Sequence, residues 1–278
     1  MDSRVITITS GKGGVGKTTT TANVGTALAM QGKKVVVVDA DIGLRNLDAV
    51  LGLENRIVYD LVDVVEGQCR LRQALIKDKR LPELYLLPAA QTRDKNAVNS
   101  VQMEQLCQQL RHEFDFVVID SPAGIEQGFR NAIVGADEII IVANPEMASV
   151  RDADRIIGLV EAAGKTEPRL ILNRLRLEMV RRGDMMDVAD VLEVLGIDLL
   201  GIVPEDEAII IATNKGEPAV YEKRSRAGHS FINTALRILG EEIPLDEFDA
   251  VPSFLERLRR LVGIGPALTE KRIRSQPS

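Results

Sequence analysis

Gly11-Lys12-Gly13-Gly14-Val15-Gly16-Lys17-Thr18 follows a short apolar run, Val5–Thr9, and precedes a segment of helical character, Thr18–Gln31. It fits G-x-x-x-x-G-K-[ST] between a strand and a helix, the setting in which that pattern binds phosphate. Glycines let successive backbone N–H groups curl round an anion without Cβ clashes, and the helix that follows turns its positive end to the same charge. Gly11, Gly13, Gly14, Val15 and Gly16 therefore supply the cradle. Lys17 is placed to bridge β- and γ-phosphates, Thr18 to offer its hydroxyl to Mg²⁺, and Thr19 to reach the α-phosphate.

Outward from the loop, apolar runs recur at Lys34–Asp39, Leu84–Leu87, Phe116–Asp120, Glu138–Ala143, Leu170–Asn173 and Leu199–Val203. Val35 to Val38 and Ile139 to Val142 are apolar at every position, as in strands covered on both faces. Segments such as Thr18–Gln31 and Met103–Glu113 are long enough for crossover helices. The pattern predicts a doubly wound α/β fold, a mostly parallel sheet with helices on both faces, and a ligand crevice at the carboxyl ends of its strands. Phe116 to Asp120 is a buried strand ending in a carboxylate. Asp120 either reaches Mg²⁺ through water or caps the next segment, and Asp120 to Gly124 makes a switch able to sense a γ-phosphate.

Net charge of −6 argues against a chain that coats nucleic acid, so no specific nucleic-acid partner is expected. Cys69 and Cys107 form no CxxC pair, and His112 and His229 stand alone, which argues against Cys/His metal chemistry. No run approaches the roughly 20 apolar residues of a membrane span, and Met1-Asp2-Ser3-Arg4 leads straight into a strand without a signal peptide. A cytoplasmic location is expected.

Lys12 alone reads as a solvated lysine. Together with Lys17, though, the loop resembles the deviant phosphate loop of the MinD/ParA family of ATPases. The likeness extends over nearly the whole chain, through Asp39–Asp48, Gln73–Asp78, Pro88–Lys95, Asp120–Glu126, Ser149–Arg155 and Arg182–Met185, and is strongest to the septum-positioning branch. It implies ATP as ligand, Mg²⁺ as cofactor and a homodimer in the ATP state, with Lys12 crossing to the partner's nucleotide as an arginine finger does. It also implies that Asp39–Asp48 is the first switch, Asp120–Gly124 being the second, that Asp41 orients the attacking water, and that Asp39 lies near the loop and metal. The expected metal set is Thr18, Asp41 and Asp120, and the expected catalytic set is Lys12, Lys17 and Asp41. Asn173, Arg174, Pro204 and Asp206 would line the base pocket; as loop residues that cap helices they are explained almost as well. Asp152 and its neighbours would meet the partner subunit.

Composition shifts at the end of the chain. An ATPase unit of residues 1–243 is followed by an acidic, Pro-bounded linker (244–252), an amphipathic segment (253–263) and a basic tail (264–278). Ser253 and Glu256 fit a capping box. Phe254, Leu255, Leu258, Leu261 and Val262 form one apolar stripe flanked by Arg257, Arg259 and Arg260. Such a stripe either packs on the core or lies on an anionic membrane surface, and the family likeness implies the membrane. So short a helix is marginal alone in water, and two copies in a dimer gain avidity. The resemblance further implies a MinC-like inhibitor and a MinE-like activator as partners. A ParA-like partitioning ATPase that binds DNA non-specifically is the alternative. An iron–sulfur relative would need thiols at the dimer axis, which Cys69 and Cys107 do not supply, and a non-enzymatic scaffold would show no ATP turnover.

Overall fold

A computed structural model describes residues 3–245, Lys95 and Thr166 excepted. The membrane stripe Phe254, Leu255, Leu258, Leu261 and Val262, its flanking Arg257, Arg259 and Arg260, the tail and most of the linker lie outside the described residues. Eight strands form one sheet: β1 (Arg4–Thr9), β2 (Val35–Asp39), β3 (Ile76–Lys77), β4 (Leu84–Leu87), β5 (Phe116–Asp120), β6 (Glu138–Ala143), β7 (Arg169–Leu175) and β8 (Asp198–Pro204). Their order is β3-β4-β2-β5-β1-β6-β7-β8. Every neighbouring pair is parallel except β3 with β4. The seven expected strands are all present, and the doubly wound α/β reading holds. β3 was not legible: two residues carry no periodicity, and Ile76 and Lys77 become a strand only by pairing with Leu86 and Tyr85.

The apolar runs bury both faces because alternate side chains enter different cores. Val36, Val38, Val117, Ile119, Ile139 and Ile141 join one core; Val35, Val37, Val118, Ile140 and Val142 join the other. Helices Ser100–Arg111, Gln127–Val134 and Met147–Ala162 cover the first face, and helices Lys17–Met30 and Arg226–Ile238 cover the second. Helix Ser100–Arg111 buries Met103, Leu106, Cys107 and Leu110, a stripe at i, i+3, i+4 and i+7. It starts earlier than its apolar residues suggest, because Asn99 and Gln102 form a capping box in front of them.

After β1 the chain leaves toward β2, and after β5 it leaves toward β6 on the other side. The carboxyl ends of β1 and β5 thus border the point where the winding reverses, where such sheets bind ligands. No helix among the described residues is long and apolar enough to cross a membrane.

Phe231 is fully buried between helix Arg226–Ile238 and the sheet. Phe231→Ala is expected to cost about 3–5 kcal/mol of unfolding free energy by urea titration. A loss under about 1 kcal/mol would contradict this packing.

Candidate nucleotide site

The loop after β1 turns through two left-handed glycines, Gly14 (φ 78°) and Gly16 (φ 99°), and helix Lys17–Met30 starts directly behind it. At Gly16 a Cβ would also sit 2.3 Å from Asn173 Nδ2, so only glycine fits. Asn173 Nδ2 donates to the Val15 carbonyl at 2.8 Å, pinning the loop to the end of β7. No acidic residue occupies the first turn of the helix, which leaves its N-terminus open to an anion. Lys17 is buried there, at 7% exposure. Thr18 and Thr19 are half-buried beside it.

Asp39 and Asp120 end β2 and β5 as direct cross-strand partners. Both are about 1% exposed. Burial pushes Asp120 up to about 7, reinforced by the negative charge of Asp39 and opposed by a Thr18 hydrogen bond and the Lys17 cation. Thr21 Oγ1 adds a hydrogen bond to Asp120 Oδ1 at 3.3 Å. Asp39 is pushed up to about 6, again by burial, against the pull of the N–H groups of Leu47, Asp41 and Asn46. These N–H groups, at 3.0–3.1 Å, fasten the loop that carries Asp41. Asp41 is half-buried, and its charge reaches both Asp39 and Asp120.

Hard oxygen donors crowded into low dielectric fit a hard cation. Among the described residues no group of three or more His, Cys, Asp or Glu makes a cage. Mg²⁺ keeps waters and phosphate oxygens and takes one or two protein ligands. Thr18, Asp120 and Asp41, the expected set, would hold it, with Asp39 as further negative charge.

The second switch is tied to the loop. Ser121 N–H donates to the Ile8 carbonyl, Ser121 Oγ to Thr9 Oγ1 at 2.8 Å, and Gly124 N–H to the Ser10 carbonyl at 3.3 Å. Ala40 N–H donates to the Asp120 carbonyl, joining the two switches. Lys12 is half-exposed at the rim, 3.5 Å from Glu146 of its own chain. Gly11 backs directly onto Asp152, since a Cβ there would meet that residue's backbone at about 2.5 Å.

The four base-pocket candidates divide. Asn173 is committed to the P-loop, and its Oδ1 accepts from Arg174 N–H. Arg174 is exposed, held left-handed (φ 58°) where the register of β7 slips against β8. Non-glycine residues adopt that conformation where surrounding structure imposes it, often at sites. A groove of about 490 Å³ opens beside Arg174, lined also by Glu146, Met179, Met185 and Glu205. Pro204 is buried opposite Leu175. The Asp206 carboxylate takes the capping alternative, accepting from Ala208 N–H, Ser225 Oγ and Ala227 N–H. Burial opposes its ionisation, but these hydrogen bonds hold it below the usual carboxylate range. Two residues escaped the sequence reading. Thr21 follows Thr18 by one helical turn, a spacing that could have flagged it. Asn23 spans Thr19 and Val220, a long-range contact with no local signal.

The family model for the CobQ/CobB/MinD/ParA nucleotide binding domain matches residues 6–219. The septum site-determining protein MinD of Bacillus subtilis (strain 168) is 59% identical over 242 residues, spanning 86% of this chain and 90% of that protein. The MinC:MinD cell division protein complex of Aquifex aeolicus contains a chain 49% identical, with TM-score 0.83, covering 88% of this chain and 99% of its own. The septum site-determining protein MinD of Pyrococcus horikoshii OT3, complexed with Mg-ADP, is 32% identical with TM-score 0.78, covering 87% and 100%.

A raised carboxylate pKa means that folding favours the protonated form. Relative to acid, stability is therefore lost as pH rises from 3.8 through about 7. Asp120→Asn is expected to stabilise the nucleotide-free protein by about 1–3 kcal/mol at pH 8, with the gain shrinking toward pH 4. Urea midpoints at pH 8 no higher than wild type would contradict the buried charge.

Proposed function

Because this chain belongs to the MinD/ParA nucleotide-binding family, we propose that it is a Mg²⁺-dependent ATPase that pairs on binding ATP, settles on the inner face of the cell membrane and helps position the division septum. The observation that carries the reading is the buried carboxylate pair Asp39–Asp120 beside Lys17, at the reversal point of the sheet. This is the charge arrangement a Mg²⁺–nucleotide complex completes.

In the proposed cycle, backbone N–H groups of Gly13 to Thr18 cradle the phosphates and Lys17 lies along the β- and γ-oxygens. Thr18, Asp120 and Asp41 would hold Mg²⁺, whose charge would offset that of the phosphates. Asp41 holds the attacking water in line. Positioning supplies most of the acceleration in phosphoryl transfer, so a strong base is not required. Lys12 leaves Glu146, an exposed and weak ion pair, and reaches the partner's nucleotide. Delivered in trans, its charge makes hydrolysis conditional on pairing.

Exposed apolar side chains at the same rim support a pairing face: Leu44 in the first switch (60% exposed), Ile125 in the second (41%) and Met147 beside Glu146 (50%). A second copy would cover them. Residues 253–263 are the proposed lipid contact, one weak anchor per subunit and two per dimer. A MinC-type inhibitor is the proposed partner, supported by the relative in the Aquifex aeolicus complex. A MinE-type activator would promote release.

Vesicle pelleting tests the cycle. With anionic vesicles, the full chain is expected to pellet with ATP and stay soluble with ADP. Lys12→Ala should bind ATP yet remain in the supernatant, as should a chain ending before Ser253. Equal pelleting with either nucleotide, or by Lys12→Ala, would defeat the proposal.

A further inference from the structure

Arg80 lies far along the sheet edge from the phosphate loop, in the turn between β3 and β4, yet it is the most heavily engaged arginine there. Asp78, almost fully buried, accepts the N–H groups of Arg80 and Leu81 and so fixes the turn. The guanidinium Nη2 donates to two carbonyls at once, Leu51 at 2.7 Å and Gly216 at 3.0 Å. Nη1 lies 3.3 Å from Glu217 Oε1, and the group stacks over the Tyr221 ring at 5.4 Å. A planar fork makes such a bridge between two carbonyls; a lysine ammonium does not.

The two carbonyls end two different helices. Helix Leu47–Leu51 follows the first switch, and Asp39 holds its N-terminal end through Asn46 and Leu47 N–H. Helix Glu207–Asn214 follows the Pro204–Asp206 loop, and Asp206 caps its N-terminal end. The helices pack together. Just beyond their last turns the chains touch backbone to backbone, since a Cβ on Gly52 would lie 2.6 Å from the Gly216 carbonyl oxygen. Helix Leu47–Leu51 thus starts behind the turn bearing Asp41 and helix Glu207–Asn214 behind the Pro204–Asp206 loop, the segment expected to line the base pocket, and the far ends share one guanidinium. The base-side segment also reaches the phosphate-loop helix, where Asn23 Oδ1 accepts Val220 N–H.

We infer that Arg80 is a positioning residue that couples base binding at the β7–β8 loops to the first switch, the segment bearing Asp41. The inference rests on the nucleotide reading given above. A base that orders the Pro204–Asp206 loop orders helix Glu207–Asn214, and through Arg80 it fixes helix Leu47–Leu51 and the loop in front of it. Without the bridge, phosphates would still bind at Gly11–Thr18, but the base would no longer steady the switch.

Hydrogen–deuterium exchange on the full-length protein separates these effects, with Mg²⁺–ADP and Mg²⁺–pyrophosphate as probes. In wild type, ADP is expected to slow exchange across residues 45–52 beyond the protection pyrophosphate gives. In Arg80→Ala that extra protection should be lost, while both ligands still protect helix Lys17–Met30. Arg80→Lys keeps the charge without the fork and should lose it too, which covers the case in which Arg80→Ala does not fold. Extra protection that survives in Arg80→Lys or Arg80→Ala, or that is missing from wild type, overturns the coupling. If neither ligand protects helix Lys17–Met30 in wild type, the nucleotide reading fails and this inference falls with it.

Discussion

Two carboxylates that the chain cannot neutralise by itself govern the top of this sheet. Asp39 and Asp120 end adjacent parallel strands in register, so their separation is set by backbone pairing rather than by side-chain choice. Both are removed from water, and Lys17 with the Thr18 and Thr21 hydroxyls offsets only part of their charge. Burying like charges together costs stability unless a counter-ion completes the set. A cation-bearing ligand is thus favoured by the fold itself.

The same acids do more than attract charge. The Asp39 carboxylate gathers three backbone N–H groups across the turn that contains Asp41. The Asp120 main-chain carbonyl accepts from Ala40, and Ser121 and Gly124 bind back to the strand and loop of the phosphate site. Both turns therefore hang from the ends of the strands that carry Asp39 and Asp120. A change of charge at Asp39 reaches Asp41 through a single hydrogen bond. These hydrogen bonds join the strand ends of the two acids to the exposed rim bearing Lys12, Leu44 and Ile125.

Much of this was legible in sequence for identifiable reasons. Runs such as Val35–Val38 are apolar at every position because both faces are covered, and that pattern announced the parallel sheet. Gly14 and Gly16 marked a loop that only glycine can form, next to Lys17 and Thr18. The rest depends on contacts between distant segments. β3 is a strand only because β4 is beside it. The bend at Arg174 comes from a register slip between β7 and β8. Asp206 could have faced a base or capped a helix, and only the positions of Ser225 and Ala227 decide what its side chain does. Arg80 carries no local signal in the sequence, because the carbonyls it joins are 29 and 136 residues away.

Proton release on ligand binding tests the buried acids most directly. Burial pushes Asp120 up to about 7 and Asp39 up to about 6, so near pH 6.5 the account has the pair holding protons before a ligand binds. Calorimetric titration with Mg²⁺–ADP, repeated in buffers of different ionisation enthalpy, counts the protons displaced. The account predicts release of a substantial fraction of a proton to about one proton per site, disappearing above pH 8 as both acids ionise beforehand. Tight binding at pH 6.5 with no proton released would contradict it.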